Sequence, residues 1–496
     1  MSDGLHWIDG VIIAGYAGGM IAIGWYYSRR QQSTDEYFTG GRAMNPLLIG
    51  VSLFATLLST VSYLSSPGEM IRHGPVILTG ALAIPIGYFV VGYWLIPRFM
   101  QYRLTSAYEL LETKLGLSTR LLGAAMFVAL RLMWMAVLLN FAANAMLVML
   151  GWDDRWGFAV TLVIGLVALV YSSLGGLRAV VITDLAQFAL LFGGAVLVIV
   201  TVTIHMGGFE WFSMTWDADW QPQPVFSLDP YVRLTVVGVV IMQSLWTICT
   251  AGADQTVIQR FMATEDASAA RRSYLVNSLA GALVLVVLAL VGLSLMSYFR
   301  AFPQFMPPGE TVAGYADKLL PHFIATQLPI GISGLVVSGM FAAAMSSVDS
   351  GVNSISAVVL CDYVDRSRSQ PMDRRTHVRA ARAIAVMVGV IVIGGSTLIE
   401  YVPGNLLVVA KRVTGLLVTP MFTLFFMALF VRWATPAGAN AGALAGFCTA
   451  VIVSFWNPLF EDRSLSVTWI NPLALVAGIV VGCLVSAASS KNHREY

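Results

Sequence analysis

Apolar runs of about twenty residues, separated by short polar connections, dominate this chain. A helix needs roughly 20 mostly apolar residues to cross the hydrocarbon core of a bilayer. Thirteen segments meet that requirement: 7–27, 46–71, 76–97, 121–149, 157–174, 179–206, 234–259, 274–298, 330–361, 378–399, 404–430, 436–456 and 467–488. The longest polar stretches between them are 207–233 and 299–329. The pattern predicts an all-α integral membrane protein with about 13 transmembrane helices and a lipid bilayer as its surroundings. Composition sharpens this. The 496 residues are 57% hydrophobic and only 11% charged, against about 25% charged in soluble domains. Too few charges remain to cover a soluble multidomain enzyme, and too many apolar residues are present for a disordered chain. A net charge of +2 offers no basic field for nucleic acid. Cys249, Cys361, Cys448 and Cys483 lie far apart in apolar runs, so neither a zinc site nor a disulfide framework is expected.

Lys and Arg set the expected orientation. Of the 29 such residues, 20 fall in connections on one side, 8 on the other, and Arg131 lies within a span. The N-terminus is therefore expected outside and the C-terminus in the cytoplasm, in a multi-pass protein of the plasma (inner) membrane. An odd span count agrees with that bias. No cleavable leader is expected, because the first apolar run lacks a basic start and is followed by Ser28-Arg29-Arg30. No cytoplasmic output domain is expected either, nor an obligate protein partner.

Polar residues within spans are costly and tend to be functional. The second span carries seven Ser and Thr residues between Ser52 and Ser66, followed by Pro67-Gly68. It reads either as a Ser-rich packing face or as an unwound stretch whose freed carbonyls bind a cation. In the ninth span Ala343, Ser346, Ser347 and Ser350 recur at i, i+3, i+4 and i+7, so they share one helical face. Asp349 adds a carboxylate there. Asp184 lies about two turns inside the sixth span and needs a cation or Arg178 as partner. The seventh span holds Gln243, Trp246, Thr247, Thr250, Gly252, Asp254 and Gln255, with Gly252 a second possible break. Arg131, in mid-span, either binds an anionic group or pairs with a neighbouring acid.

Broken helices with oxygen ligands at mid-membrane are the frame of secondary transporters, which are often built on inverted repeats. Two blocks of five spans, 46–206 and 234–430, each open on a candidate broken helix. Five is odd, so the second block runs opposite to the first. The expected division is a first helix and cytoplasmic linker (1–45), repeat 1 (46–206), an extracellular loop (207–233), repeat 2 (234–430), and two further helices with a short tail (431–496).

Several motifs then bring a family into view. They are Asp35-Glu36-Tyr37-Phe38 with Gly40-Gly41-Arg42, Leu104 to Glu109, Tyr171 to Leu177, Ala179 to Asp184, Asp254-Gln255 with Gln259-Arg260, Phe341 to Ser347, and Asn353 to Ser356. In this order and spacing the chain resembles the sodium:solute symporter family, which has the leucine-transporter-type fold with five-plus-five inverted repeats. The resemblance implies sodium-coupled uptake of a small solute by alternating access, not an enzyme. It implies a sodium site at the carbonyls of Ala55, Leu58 and Ala343 and the hydroxyls of Ser346 and Ser347. A second sodium, present in some members, maps to Asp184, Ser346, Asp349 and Ser350. Asp349 departs from the usual hydroxyl residue, so a stronger second sodium or a proton carried on one Asp both remain open.

The same resemblance places substrate beside the broken helix, near Ser59, Ser62, Tyr63, Gln243, Trp246 and Thr247, with Arg131 as counter-charge. Ser62 to Glu69 with Gly74 looks most like the monocarboxylate, multivitamin and iodide branch. Ser59 and Ser62 also fit the sialic acid branch, although Leu57 does not and Arg131 is displaced by about a turn. A small organic anion is expected, with a sugar or amino-acid symporter, or a non-transporting sodium/solute sensor, as the alternatives.

Overall fold

The computed structural model describes residues 5–28 and 40–492, except 103, 213–214, 219, 221–223, 225, 371, 403–405 and 461–462. The side chains of 28, 171–176, 374, 400 and 490–492 are also outside the description. The motif at Asp35–Phe38 therefore lies beyond it, and of Tyr171–Leu177 only the backbone and the Leu177 side chain are described. Among the described residues there is no strand.

The chain opens with α1 (Trp7–Ser28) and then a helix broken in two, α2 (Pro46–Leu57) and α3 (Thr60–His73). After the helical segment Pro75–Phe99 come α4 (Leu117–Leu150) and α5 (Gly157–His205). A second interrupted helix comes next, α6 (Val236–Ala253) and α7 (Gln255–Met262). The remaining long helices are α8 (Ala267–Ala301), α9 (Ile332–Val358), α10 (Arg374–Ser396), α11 (Leu406–Phe430), α12 (Pro436–Ser454) and α13 (Ile470–Asn492). Eleven helices among the described residues are long and apolar enough to cross a membrane, or twelve with the bent pair α2/α3 counted as one.

The expected fifth span, 157–174, is not a separate helix. It runs without interruption into 179–206 as the 49-residue α5. A straight helix of that length would measure about 74 Å, more than twice the hydrocarbon thickness. Its two ends nonetheless lie on one face, so the run is not straight and doubles back near its middle. Gly157 abuts Leu147, close to Met149, whose carbonyl accepts from Leu5 N. His205 stacks near Tyr298, whose hydroxyl donates to Gln327, four residues before Gly331. Asp9 accepts from Gly331 N and so joins the two places. Arg178, midway, donates to the Gly40 carbonyl away from that face. Gly175-Gly176 thus lies where the chain turns back, within residues that keep helical backbone.

α9 forms the centre and packs on α5, α4 and α1. Gly339 permits the α5 contact, since a Cβ there would lie 2.7 Å from the Leu190 carbonyl oxygen. α12 and α13 approach in the same way at Gly442. Large apolar side chains such as Trp7, Phe89, Val163 and Ile204 face outward, as a lipid-facing surface requires. Three of the family-like motifs are joined in two buried hydrogen-bond knots. Gln255 bonds Thr105 O and Ala107 N, while Gln259 bonds Asn353 and Ser354.

Candidate functional site

The break in the first helix has a local cause. Asn45 caps the start of α2, accepting from Leu47 N, and Pro46 occupies the first helical position. Leu58 and Ser59 are then extended, and Ser59 caps α3 by accepting from Ser62 N. The axis bends by 65°. In a continuous helix the amides of Ser59, Thr60 and Val61 would hold the carbonyls of Ala55, Thr56 and Leu57; the break removes those donors. α9 supplies hydroxyls opposite. Ser347 donates to Thr56 O at 2.9 Å and lies 3.4 Å from Leu58 O. Ser346 donates to the Asp184 carboxylate at 2.5 Å. Both protons are engaged elsewhere, so each hydroxyl oxygen keeps lone pairs for a cation. Ala55, Leu58, Ala343 and Ser346 line a cavity of about 10 Å³, the space of about one water molecule. Neutral oxygens around so small a space suit a monovalent cation such as sodium. Among the described residues no group of three His, Cys, Asp or Glu could hold a metal.

One turn deeper, Asp184 is fully buried on α5. Its cation is Arg260 of α7, at 3.2 Å, not Arg178. Ser52 also donates to Asp184, at 2.5 Å. Arg260 is itself fully buried and further donates to Ser52, Thr56, Ser350 and the Thr256 carbonyl. Asp349 stands beside Ser350, its carboxylate 3.4 Å from the Ser350 hydroxyl. The four residues expected at a second cation site therefore gather around a guanidinium.

A larger cavity of about 300 Å³ lies between α3, α4, α6, α8 and α11. α6 contributes Gln243, Trp246, Thr247, Thr250 and Asp254, spaced so that they share one face. The helix ends there because Asp254 is extended and accepts from Thr256 N to start α7. This break falls two residues beyond Gly252, which instead meets the Phe422 ring. Arg131 pairs with Asp254, yet its Nε has no partner. Thr250 and Tyr274 are among the residues around the cavity, and their buried hydroxyls also lack partners. α11 adds Lys411, whose ammonium lies 5.5 Å from the centre of the Trp246 ring.

Comparison with known proteins decides the family. A family model for the sodium:solute symporters matches residues 37–446. The chain belongs to the sodium:solute symporter family. It is 29% identical over 464 residues to the sodium/sialic acid symporter SiaT of Proteus mirabilis, covering 91% of this chain and 90% of that one. It is 27% identical to the sodium-coupled monocarboxylate transporter 1 of Mus musculus, over 91% of this chain and 74% of the relative. A solved structure of a Na+-coupled sialic acid symporter, in a substrate-bound outward-open state with a novel Na+ site, superposes with a TM-score of 0.84 at 26% identity. It covers 97% of both chains. The protein is thus a membrane-embedded, sodium-dependent transporter of the leucine-transporter-type fold.

Within this symporter the residues expected at the first sodium site come together at the break of α2/α3. Of the residues expected at the substrate, Ser62, Gln243, Trp246, Thr247 and Arg131 line the large cavity. Ser59 does not line it and serves as the helix cap. Tyr63 is fully buried against Gly194 of α5, outside the cavity. Sequence reasoning misses three residues. Arg260 reads there only as a motif at the inner end of a span. Asp254 reads as polar, without its partner. Lys411 counts with the outer connections, although its spacing from Leu407 and Thr414 is a signal that it shares their face.

Proposed function

We propose that this protein imports a small organic anion, a monocarboxylate or a sialate-like acid, together with sodium. The single observation that carries the reading is the helix break: a one-ion cavity lined by Ala55, Leu58, Ala343 and Ser346, with Ser347 at the Leu58 carbonyl, beside a larger cavity. Sodium entering from the face of Met149 and Gly331, taken as the outside, would fill the small cavity and fix the spacing of α2 and α9. That spacing would shape the wall formed by α3 and α6, so sodium and solute favour the same state and bind cooperatively. Rocking of the 46–206 and 234–430 repeats about these sites would then open the solute cavity to the cytoplasm. Relatives that carry sialic acid and monocarboxylates support the choice of an acid.

The cluster of Asp184, Ser346, Asp349, Ser350 and Arg260 is the proposed place of a second sodium or a proton. Stoichiometry has an electrical signature. One sodium per monoanion moves no net charge, whereas a second cation makes the cycle sensitive to voltage, at about 2.3 kcal/mol per charge per 100 mV.

The test is a thermal-shift screen of the purified protein in sodium and in potassium, against carboxylates, sugars, amino acids and vitamins. A carboxylate that stabilises only in sodium supports the reading. Stabilisation by sugars or amino acids alone would overturn the anion, and stabilisation equal in both salts would overturn the sodium coupling.

A further inference from the structure

The large cavity has three charged residues in its wall: Arg131, Asp254 and Lys411. Arg131 and Asp254 form an ion pair with each other, so their charges cancel toward the cavity. Lys411 is different. It lies on α11 about five residues from the helix start, or roughly 8 Å along the axis. Leu407, Ala410, Lys411, Thr414 and Val418 form the cavity-facing stripe of that helix. Among the described residues no carboxylate comes within ion-pair distance of the Lys411 ammonium, and its polar side chain rests on the Trp246 ring.

Lys411 is half-buried at the cavity wall, and a ring face alone does not balance its charge. Cation–π contact with a tryptophan offsets only part of the desolvation cost. A lysine near the end of a span could extend to the headgroups, but the Trp246 contact holds this one on the cavity side. The cavity therefore presents one uncompensated positive charge beside an aromatic plane. Arg131 cannot replace it, since its guanidinium is tied to Asp254, eight residues or about 12 Å along α6 from Trp246.

We propose that Lys411 is the counter-charge for the carboxylate of the transported acid, and that this residue makes the cavity select monoanions over neutral solutes of the same shape. The inference rests on the organic-anion reading above and assigns the recognition of charge within it. The carboxylate would pair with the ammonium while the Trp246 ring flanks them, and Gln243, one turn away on α6, offers an amide to the same end. With Lys411 neutralised by the acid and Arg131 by Asp254, the loaded cavity carries no net charge from these groups, which lowers the cost of closing it to water.

The experiment measures binding of two acid and neutral pairs to the full-length protein by thermal shift in sodium chloride: N-acetylneuraminate against its methyl ester, and lactate against lactamide. Wild type is expected to bind at least one acid about 10- to 100-fold more tightly than its neutral partner, the range of one charge-assisted pair. Lys411→Gln is expected to lose that preference while keeping the stabilisation given by sodium alone, which also reports that it is folded. Lys411→Arg is expected to keep most of the preference. Acid binding within about twofold of wild type in Lys411→Gln overturns the assignment and leaves the organic-anion reading intact. Equal binding of acid and neutral partner by wild type overturns the assignment without needing any variant. Failure of wild type to bind either acid in sodium overturns the organic-anion reading, and the assignment with it.

Discussion

Replacing Ser347 by alanine separates a sodium ligand from an ordinary buried hydroxyl. Ser347 is fully buried, donates to Thr56 O at 2.9 Å and faces Leu58 O at 3.4 Å. Ser347→Ala has two effects. The Thr56 carbonyl loses its donor, which costs about 1–3 kcal/mol of stability whether or not sodium is bound. The site also loses one of its five candidate oxygens. An interaction of about 1–2 kcal/mol lost only from the sodium-bound state raises half-saturating sodium by about 5- to 30-fold. Thermal unfolding measured across a sodium titration at constant ionic strength resolves the two, because the first lowers the midpoint in potassium as well. Ser354→Ala is the control. Ser354 sits on the same buried helix and donates to Gln259 at 2.8 Å, away from the small cavity. It should lower the midpoint by a similar amount and leave half-saturating sodium unchanged. A folded Ser347→Ala protein with wild-type sodium dependence would refute the placement of the ion.

Three further outcomes are expected. Arg131→Ala strands the buried Asp254 carboxylate and should lower stability by about 3–5 kcal/mol; adding Asp254→Asn should restore a good part of it in denaturation of the purified protein. Asp184→Asn removes the charge that Arg260 and Ser346 both bind. It should both lower the melting temperature and weaken sodium binding, whereas an effect on stability alone would detach Asp184 from the ion. Gly339→Leu forces a side chain against the Leu190 backbone at 2.7 Å and should destabilise the packing of α9 on α5 by about 1–3 kcal/mol, read as a lower unfolding midpoint with half-saturating sodium preserved.

Much of the fold and of the candidate cation site is legible in the sequence because both rest on local pattern. The run of Ser and Thr residues about Ser59 leaves an interrupted helix as one of two readings, a Ser-rich packing face being the other, and the structure takes the interruption, with Ser59 as the cap. The i, i+3, i+4 spacing of Ala343, Ser346 and Ser347 predicts one ligand face whatever surrounds it. Pairing across the bundle is not legible in this way. Asp184 takes Arg260, 76 positions away, in place of the nearby Arg178, and only the approach of α7 to α5 determines that choice. Arg131 likewise finds Asp254 across the cavity. Lys411 illustrates a third limit: charge counting assigns it to a connection, whereas its helical phase turns it toward Trp246. The merged spans at 157–205 show that a Gly pair lowers helix propensity without ending a helix.

The central claim is sodium-driven transport, and its most direct measurement is uptake into sealed proteoliposomes containing only this protein. Radiolabelled N-acetylneuraminate and lactate are tracked with an inward sodium gradient, with equal sodium on both sides, and with potassium replacing sodium. The account predicts that at least one acid accumulates transiently above its outside concentration under the sodium gradient, only equilibrates without the gradient, and fails to enter appreciably in potassium. Uptake at the same rate and to the same level in sodium and potassium would contradict it.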